Sequence, residues 1–144
     1  MMRLAVESVS EEDMFATHVT ATGARIETDE PVAVGGRGVG ANPLEAVLAA
    51  WAGCLIVVAR MVAKERGLTP ANLYVHVDGE FDPRGFMGAP NVRTYFSQAT
   101  ANLQIEGISE ADCIPIVAAV EARCPVSGLL HSAGVVTRID VHSR

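Results

Sequence analysis

The sequence predicts an α+β fold with mostly antiparallel sheets, and three observations lead there. Short segments rich in β-formers crowd the first 35 residues. One long apolar segment, 43–66, lies between helix-start and helix-stop residues. Strand-like alternation then returns at 72–82 and 92–107, before a helical stretch and a closing strand. With 144 residues the chain is read as a single domain: N-terminal strands (1–35), a central helix (43–66) and a β-β-α-β part (72–144).

Residues 3–8 and 14–20, with "RIETD" and "PVAV" in the same style, predict three short strands separated by turns at 9–13, 21–24 and 29–31. The Gly-rich "GGRGVGAN" follows and reads as a flexible connector. In the central helix Asn42 suits the N-cap, Pro43 the first position and Glu45 the first turn, while Lys64, Arg66 and Gly67 suit the end. At 1.5 Å per residue, 43–66 would be about 36 Å long. Residues 46–59 are apolar all round, so no face of that half meets water cheaply. A chain this small cannot readily wrap such a helix, which predicts a second subunit in a two-fold dimer. "NLYVHVDGEFD" (72–82) and "VRTYFSQATANLQIEG" (92–107) alternate as strands, with the loop "PRGFMGAPN" between them. "SEADCIPIVAAVEAR" (109–123) predicts a helix with Ser109 as N-cap and Asp112 three residues on; Pro115 should kink it or delay its start. "CPVSGLLHSAG" predicts a short helical turn or loop, and "VVTRIDVH" (135–142) a last strand.

Composition narrows the function. The formal charge is −6 and no run of Lys/Arg is interleaved with aromatics, so nucleic acid is not an expected partner. The first residues lack a sustained apolar core, so a signal peptide is not expected. The longest uncharged run, Ala46–Ala59, is short of the ~20 residues that cross a bilayer. Three cysteines, 54, 113 and 124, are too few and odd in number for a secreted disulfide framework. A cytoplasmic protein is expected, with no membrane partner.

Most motifs dissolve on inspection. Gly36–Ala41 matches G-x-G-x-x-A, but the helix starts after it and Val58 stands 20 residues beyond Gly38, where a dinucleotide site needs an acid. His18, His76, His131 and His142 show no metal-ligand spacing, and neither C-x-x-C nor G-x-S-x-G is present. The cysteines remain. A buried thiol such as Cys54 behaves as a small hydrophobe with a raised pKa. A reactive Cys54 therefore needs a cation from another segment, and Arg25 and Arg37 are the candidates. Cys124 directly precedes Pro125, so it either caps a short helical turn, where a thiolate is favoured, or simply ends the preceding helix. Cys113 reads as structural.

Taken together, "TATGAR" (20–25), "DEPVAVGGRGVGANPLEAVLAAWAGC" (29–54), "DPRGF" (82–86) and "RCPVSGLL" (123–130) resemble the OsmC/Ohr family of thiol peroxidases, in that family's order and across most of the chain. "DPRGF" is typical of one OsmC-like branch. The resemblance implies an intertwined homodimer with two long helices crossing at its centre. It implies that Cys54 is the peroxidatic thiol and Cys124 the resolving one, and that Arg25 contacts the thiolate. It also implies a Glu near the helix start that holds this Arg. In well-characterised members that acid directly follows Asn-Pro; here Leu44 stands there and Glu45 comes one residue later. Glu45 precedes Cys54 by about 2.5 turns and so faces the other way, leaving it either to reach an Arg by another route or to complement the helix dipole.

The expected activity is reduction of organic or lipid hydroperoxides through a Cys54 sulfenic acid and a Cys54–Cys124 disulfide, reset by an external dithiol. The family suggests a lipoyl group or small thiol for that reductant. No bound cofactor is needed. Two rivals use the same fold: a dimeric protein that binds a hydrophobic ligand with unreactive cysteines, and a thiol redox sensor.

Overall fold

A computed structural model describes residues 1–144. Its architecture is α+β, with two three-stranded sheets and four helices distributed over two compact units, Met1–Val47 and Leu48–Arg144.

The first unit is an antiparallel meander of β1 (Val6–Val9), β2 (Ala16–Thr20) and β3 (Arg25–Thr28), with Val6 opposite Thr20 and His18 opposite Ile26. Only Thr28 and Asp29 are buried in it. Val6, Val9 and Ile26 stay exposed, so this sheet has no covered apolar face within the unit.

The segment after β3 departs from expectation twice. Val32–Val34 forms a 3-10 turn rather than further strand. The Gly-rich loop is not a flexible connector but is wound around a buried carboxylate. Asp29 Oδ1 accepts the Glu30 amide (2.8 Å), and Oδ2 accepts those of Arg37 (3.0 Å) and Val39 (3.1 Å). At Gly36 the main chain passes so close to Glu30 that an added Cβ would lie 1.8 Å from its carbonyl oxygen. The glycines therefore serve a close backbone approach that larger residues exclude. Burial works to raise the Asp29 pKa, but the amides of Val39, Glu30, Arg37 and Gly38 outweigh it and hold the carboxyl below its usual value.

The central helix, α1, runs Pro43–Glu65. Its start is a reciprocal cap: Asn42 Oδ1 accepts the Leu44 amide (2.8 Å) and the Asn42 amide donates to Glu45 Oε2 (2.9 Å). Its end is a left-handed Gly67 (φ 72°), with the Gly67 and Leu68 amides donating back to Lys64 and Ala63 carbonyls. Helix α1 is long and apolar enough to cross a bilayer, a test that the core helix of a folded domain also passes.

In the second unit β4 (Leu73–Glu80), β5 (Gln98–Ile105) and β6 (Val136–Ser143) form a sheet in that order. Strands β4 and β5 are antiparallel; β5 and β6 are parallel, joined through two helices as a parallel crossover requires. Trp51, Leu55, Ala59 and Val62 of α1 are buried, as are Leu103 and Ile105 of β5. The predicted strand at 92–107 begins only at Gln98. A short helix, α2 (Pro83–Phe86), precedes it, and Gly85 packs tightly on the Arg93 carbonyl (2.3 Å from a built Cβ), so that Val92 and Arg93 lie against α2 and outside the strand. Helix α3 (Glu110–Arg123) is capped by Ser109, whose Oγ accepts the Asp112 amide at 3.2 Å. Its start is not delayed: Pro115 lies inside the helix. Helix α4 (Pro125–Ser132) follows at once, so the expected turn or loop is two helical turns long. Arg123 at the end of α3 holds Glu65 of α1 through two hydrogen bonds of 2.7 and 2.9 Å.

Candidate functional site

Cys54 lies on the fourth turn of α1, half-buried. Seventy residues on, Cys124 is both the last cap of α3 and the first cap of α4, so both readings of it hold. Its amide donates to the Val120 carbonyl, closing α3, and its sulfur accepts the Ser127 amide at 3.4 Å, opening α4. This dual role needs an extended residue between two helices, and Cys124 has φ −76° and ψ 113°. Pro125 then takes the first position of α4, where its missing N–H costs nothing.

The two sulfurs meet. Cys54 Sγ and Cys124 Sγ are 2.9 Å apart, both as free thiols. Less than about 1 Å of further approach reaches the ~2.05 Å of a disulfide. Their electrostatics differ. Burial pushes the Cys54 thiol up, and its hydrogen bond with Cys124 pushes it further. Burial works to raise Cys124 as well, but the Cys54 thiol, the Ser127 hydroxyl and the amides of Ser127 and Val126 outweigh it. The two thiols are therefore pushed in opposite directions, Cys54 up and Cys124 down.

A second contact runs beside the first. Trp51 Nε1 donates to Ser127 Oγ at 2.9 Å, and both residues are fully buried. Trp51 and Cys54 are three residues apart on α1, as are Cys124 and Ser127 at the start of α4. Residues at that spacing share a helix face, so the two elements are joined at two points one turn apart. The sequence reading missed Trp51 and Ser127. Two signals were available: the chain's one tryptophan sits in an apolar run, where its N–H must find a partner, and a serine stands three residues after a capping cysteine.

The other expected site residues lie as follows. Arg25, on β3, is exposed, with its guanidinium 3.9 Å from Glu27. Glu45 accepts the Asn42 amide, and no ion pair joins it to Arg25. Arg37 has its Nε 2.5 Å from Asp13 Oδ2 and its guanidinium 5.2 Å over the Phe15 ring. Cys113 is buried on α3, where burial and the nearby Glu110 and Asp112 raise its pKa, as suits a structural thiol.

Comparison with known proteins places the fold. The fold matches an OsmC-like protein from Mycoplasma pneumoniae (TM-score 0.80, 21% identity, 99% of this chain and 96% of that one). It matches an organic hydroperoxide resistance protein OsmC from Legionella pneumophila (TM-score 0.74, 17% identity, 99% and 98%). It also matches an organic hydroperoxide resistance protein from Elizabethkingia anophelis (TM-score 0.76, 14% identity, 100% and 98%). No protein of curated function matches the sequence. The family model described as OsmC-like protein matches residues 35–140, a stretch that holds all three cysteines, Trp51 and Ser127. The chain belongs to the OsmC-like protein family.

Proposed function

We propose that the chain is a cysteine-based peroxidase for organic hydroperoxides, acting as a homodimer of 144-residue single domains in the cytoplasm. The observation that carries this reading is the 2.9 Å contact between Cys54 and Cys124, two thiols 70 residues apart in sequence. Family membership and the hydroperoxide-resistance neighbours support a role in redox stress.

The cycle uses the pair as follows. Cys54 Sγ attacks the distal peroxide oxygen, the O–O bond breaks, and the alkoxide leaves and is protonated to the alcohol. As Cys54 attacks, its proton passes to Cys124 Sγ, the sulfur that the Val126 and Ser127 amides equip to carry the charge beforehand. The guanidinium of Arg25, brought to Cys54 in the dimer and steadied by Glu45, favours negative charge on the attacking sulfur. The product is a Cys54 sulfenic acid. Cys124 attacks it, water leaves, and a disulfide forms. An external dithiol restores both thiols by exchange. Apolar residues around Cys54 on α1 suit an alkyl or lipid peroxide.

The test is steady-state consumption of cumene hydroperoxide with a dithiol as reductant. Cys54→Ser is expected to lower the rate by roughly 10³-fold or more, the scale on which removing a nucleophile acts. Equal rates for the two proteins would end the peroxidase reading and leave the ligand-binding one.

A further inference from the structure

The two sulfurs are not equivalent, and the difference bears on how the cycle closes. Cys124 is 3% exposed within its own chain, so no assembly of subunits can open it further. Its sulfur has Cys54 on one side at 2.9 Å and the Ser127 amide at 3.4 Å. The Ser127 hydroxyl, which also serves Cys124, cannot turn away, because Trp51 Nε1 fixes it at 2.9 Å in a fully buried site. Cys54 shares the Val126 amide but has neither Ser127 donor, and it is only half-buried. In thiol–disulfide exchange the incoming thiolate bonds to one sulfur and the electron pair leaves on the other, which departs faster the better it carries charge. A sulfur at a helix N-terminus with amide and hydroxyl donors is the better leaving group.

Building on the peroxidase reading, we propose that the external dithiol opens the Cys54–Cys124 disulfide at Cys54, with Ser127 as the positioning residue that makes Cys124 the leaving sulfur. The dithiol's thiolate forms a new S–S bond to Cys54 Sγ, the internal S–S bond breaks, and Cys124 departs as a thiolate. The dithiol's second thiol then attacks its own sulfur in the mixed disulfide. Cys54 is released and takes up a proton, and the dithiol is oxidised by two electrons to a cyclic disulfide. Burial of Cys124 and the lowering of its pKa both favour this direction.

The experiment traps the first step. The full-length protein is oxidised with one equivalent of diamide and then treated with 2-mercaptoethanol, a monothiol that cannot cyclise. Samples are quenched in acid over time, alkylated and mapped by peptide mass spectrometry. The expected result is a mercaptoethanol adduct on Cys54 in at least about tenfold excess over Cys124, the latter recovered alkylated. Ser127→Ala, which keeps the amide but removes the hydroxyl, is expected to reduce that excess several-fold. An adduct mainly on Cys124, or an even split in the wild-type protein, overturns the proposal while the peroxidase reading survives. An excess unchanged in Ser127→Ala overturns the assignment to Ser127. Failure of diamide to form any Cys54–Cys124 disulfide overturns the peroxidase reading and this proposal with it.

Discussion

At Cys124 one residue closes a helix, opens the next and places its sulfur on a second thiol. The three roles depend on each other, because the extended backbone that ends α3 is what turns the sulfur toward the α4 amides and Cys54. Trp51 keeps that corner in place. Replacing it with Phe retains most of the buried ring but removes the donor to Ser127 Oγ. The expected cost is about 1 kcal/mol of stability, the usual worth of a neutral hydrogen bond, read by urea denaturation. A merely structural role for Trp51 would stop there. Its position behind Ser127 predicts a second effect: thiolate absorbance at 240 nm should show Cys124 titrating at higher pH in Trp51→Phe than in wild type. An unchanged titration would show that Ser127 holds its hydroxyl without Trp51. The sequence drew attention to Cys54 and Cys124 through the family resemblance, because Asn-Pro…Gly-Cys and Cys-Pro-Val are local patterns. The Trp51–Ser127 bond was not, since it joins residues 76 apart and no local pattern encodes it.

The elements that position the site are held by backbone accounting as much as by apolar burial, and the loop into α1 is the clearest case. Asp29 receives three backbone donors there, so its carboxylate is the organising charge of residues 29–39. Because its pKa is lowered on folding, it stabilises the fold above the ordinary carboxylate value of about 3.9 and loses that contribution as the pH falls through its lower folded value. Asp29→Asn keeps the shape and removes the charge. Amide hydrogen exchange at Arg37 and Val39 is then expected to quicken at neutral pH, and the acid-induced loosening of this loop expected of wild type should disappear. Gly36→Ala tests the same loop by shape, since its Cβ would fall 1.8 Å from the Glu30 carbonyl oxygen, and overpacking of this kind costs about 1–3 kcal/mol. Sequence reading placed the strands and the central helix to within a few residues, because alternation and caps are written locally. It took the glycines for flexibility because it could not see that an acid at 29 would draw the amides of 37 and 39 onto itself. The strand expected from 92 starts only at Gln98 for the same reason, as the close packing of Gly85 on Arg93 is a contact, not a pattern.

At the scale of the whole molecule the chain leaves much apolar surface uncovered. Val47, Val57 and Met61 of α1 are 40%, 58% and 48% exposed, although that helix is apolar throughout its centre. The N-terminal sheet buries nothing but Thr28 and Asp29. Isolated three-stranded sheets need an apolar face covered to be stable, and exposed apolar faces of this extent mark association surfaces. Composition already pointed to this, because hydrophobicity around all sides of a helix is visible without a structure. Which surfaces pair was not visible, since that depends on how two chains cross. A dimer that covers α1 makes a definite prediction: sedimentation equilibrium at micromolar concentration should give twice the chain mass. Val57→Asp would place a charge in the covered face, where an unpaired carboxylate is costly to desolvate. It should shift the protein to monomer and lower its melting temperature together, because the helix then loses the cover that its sequence requires. A wild-type protein that sediments as a stable monomer would show instead that α1 and the N-terminal sheet tolerate water. The proposal that a dimer brings Arg25 to Cys54 would then have to be given up.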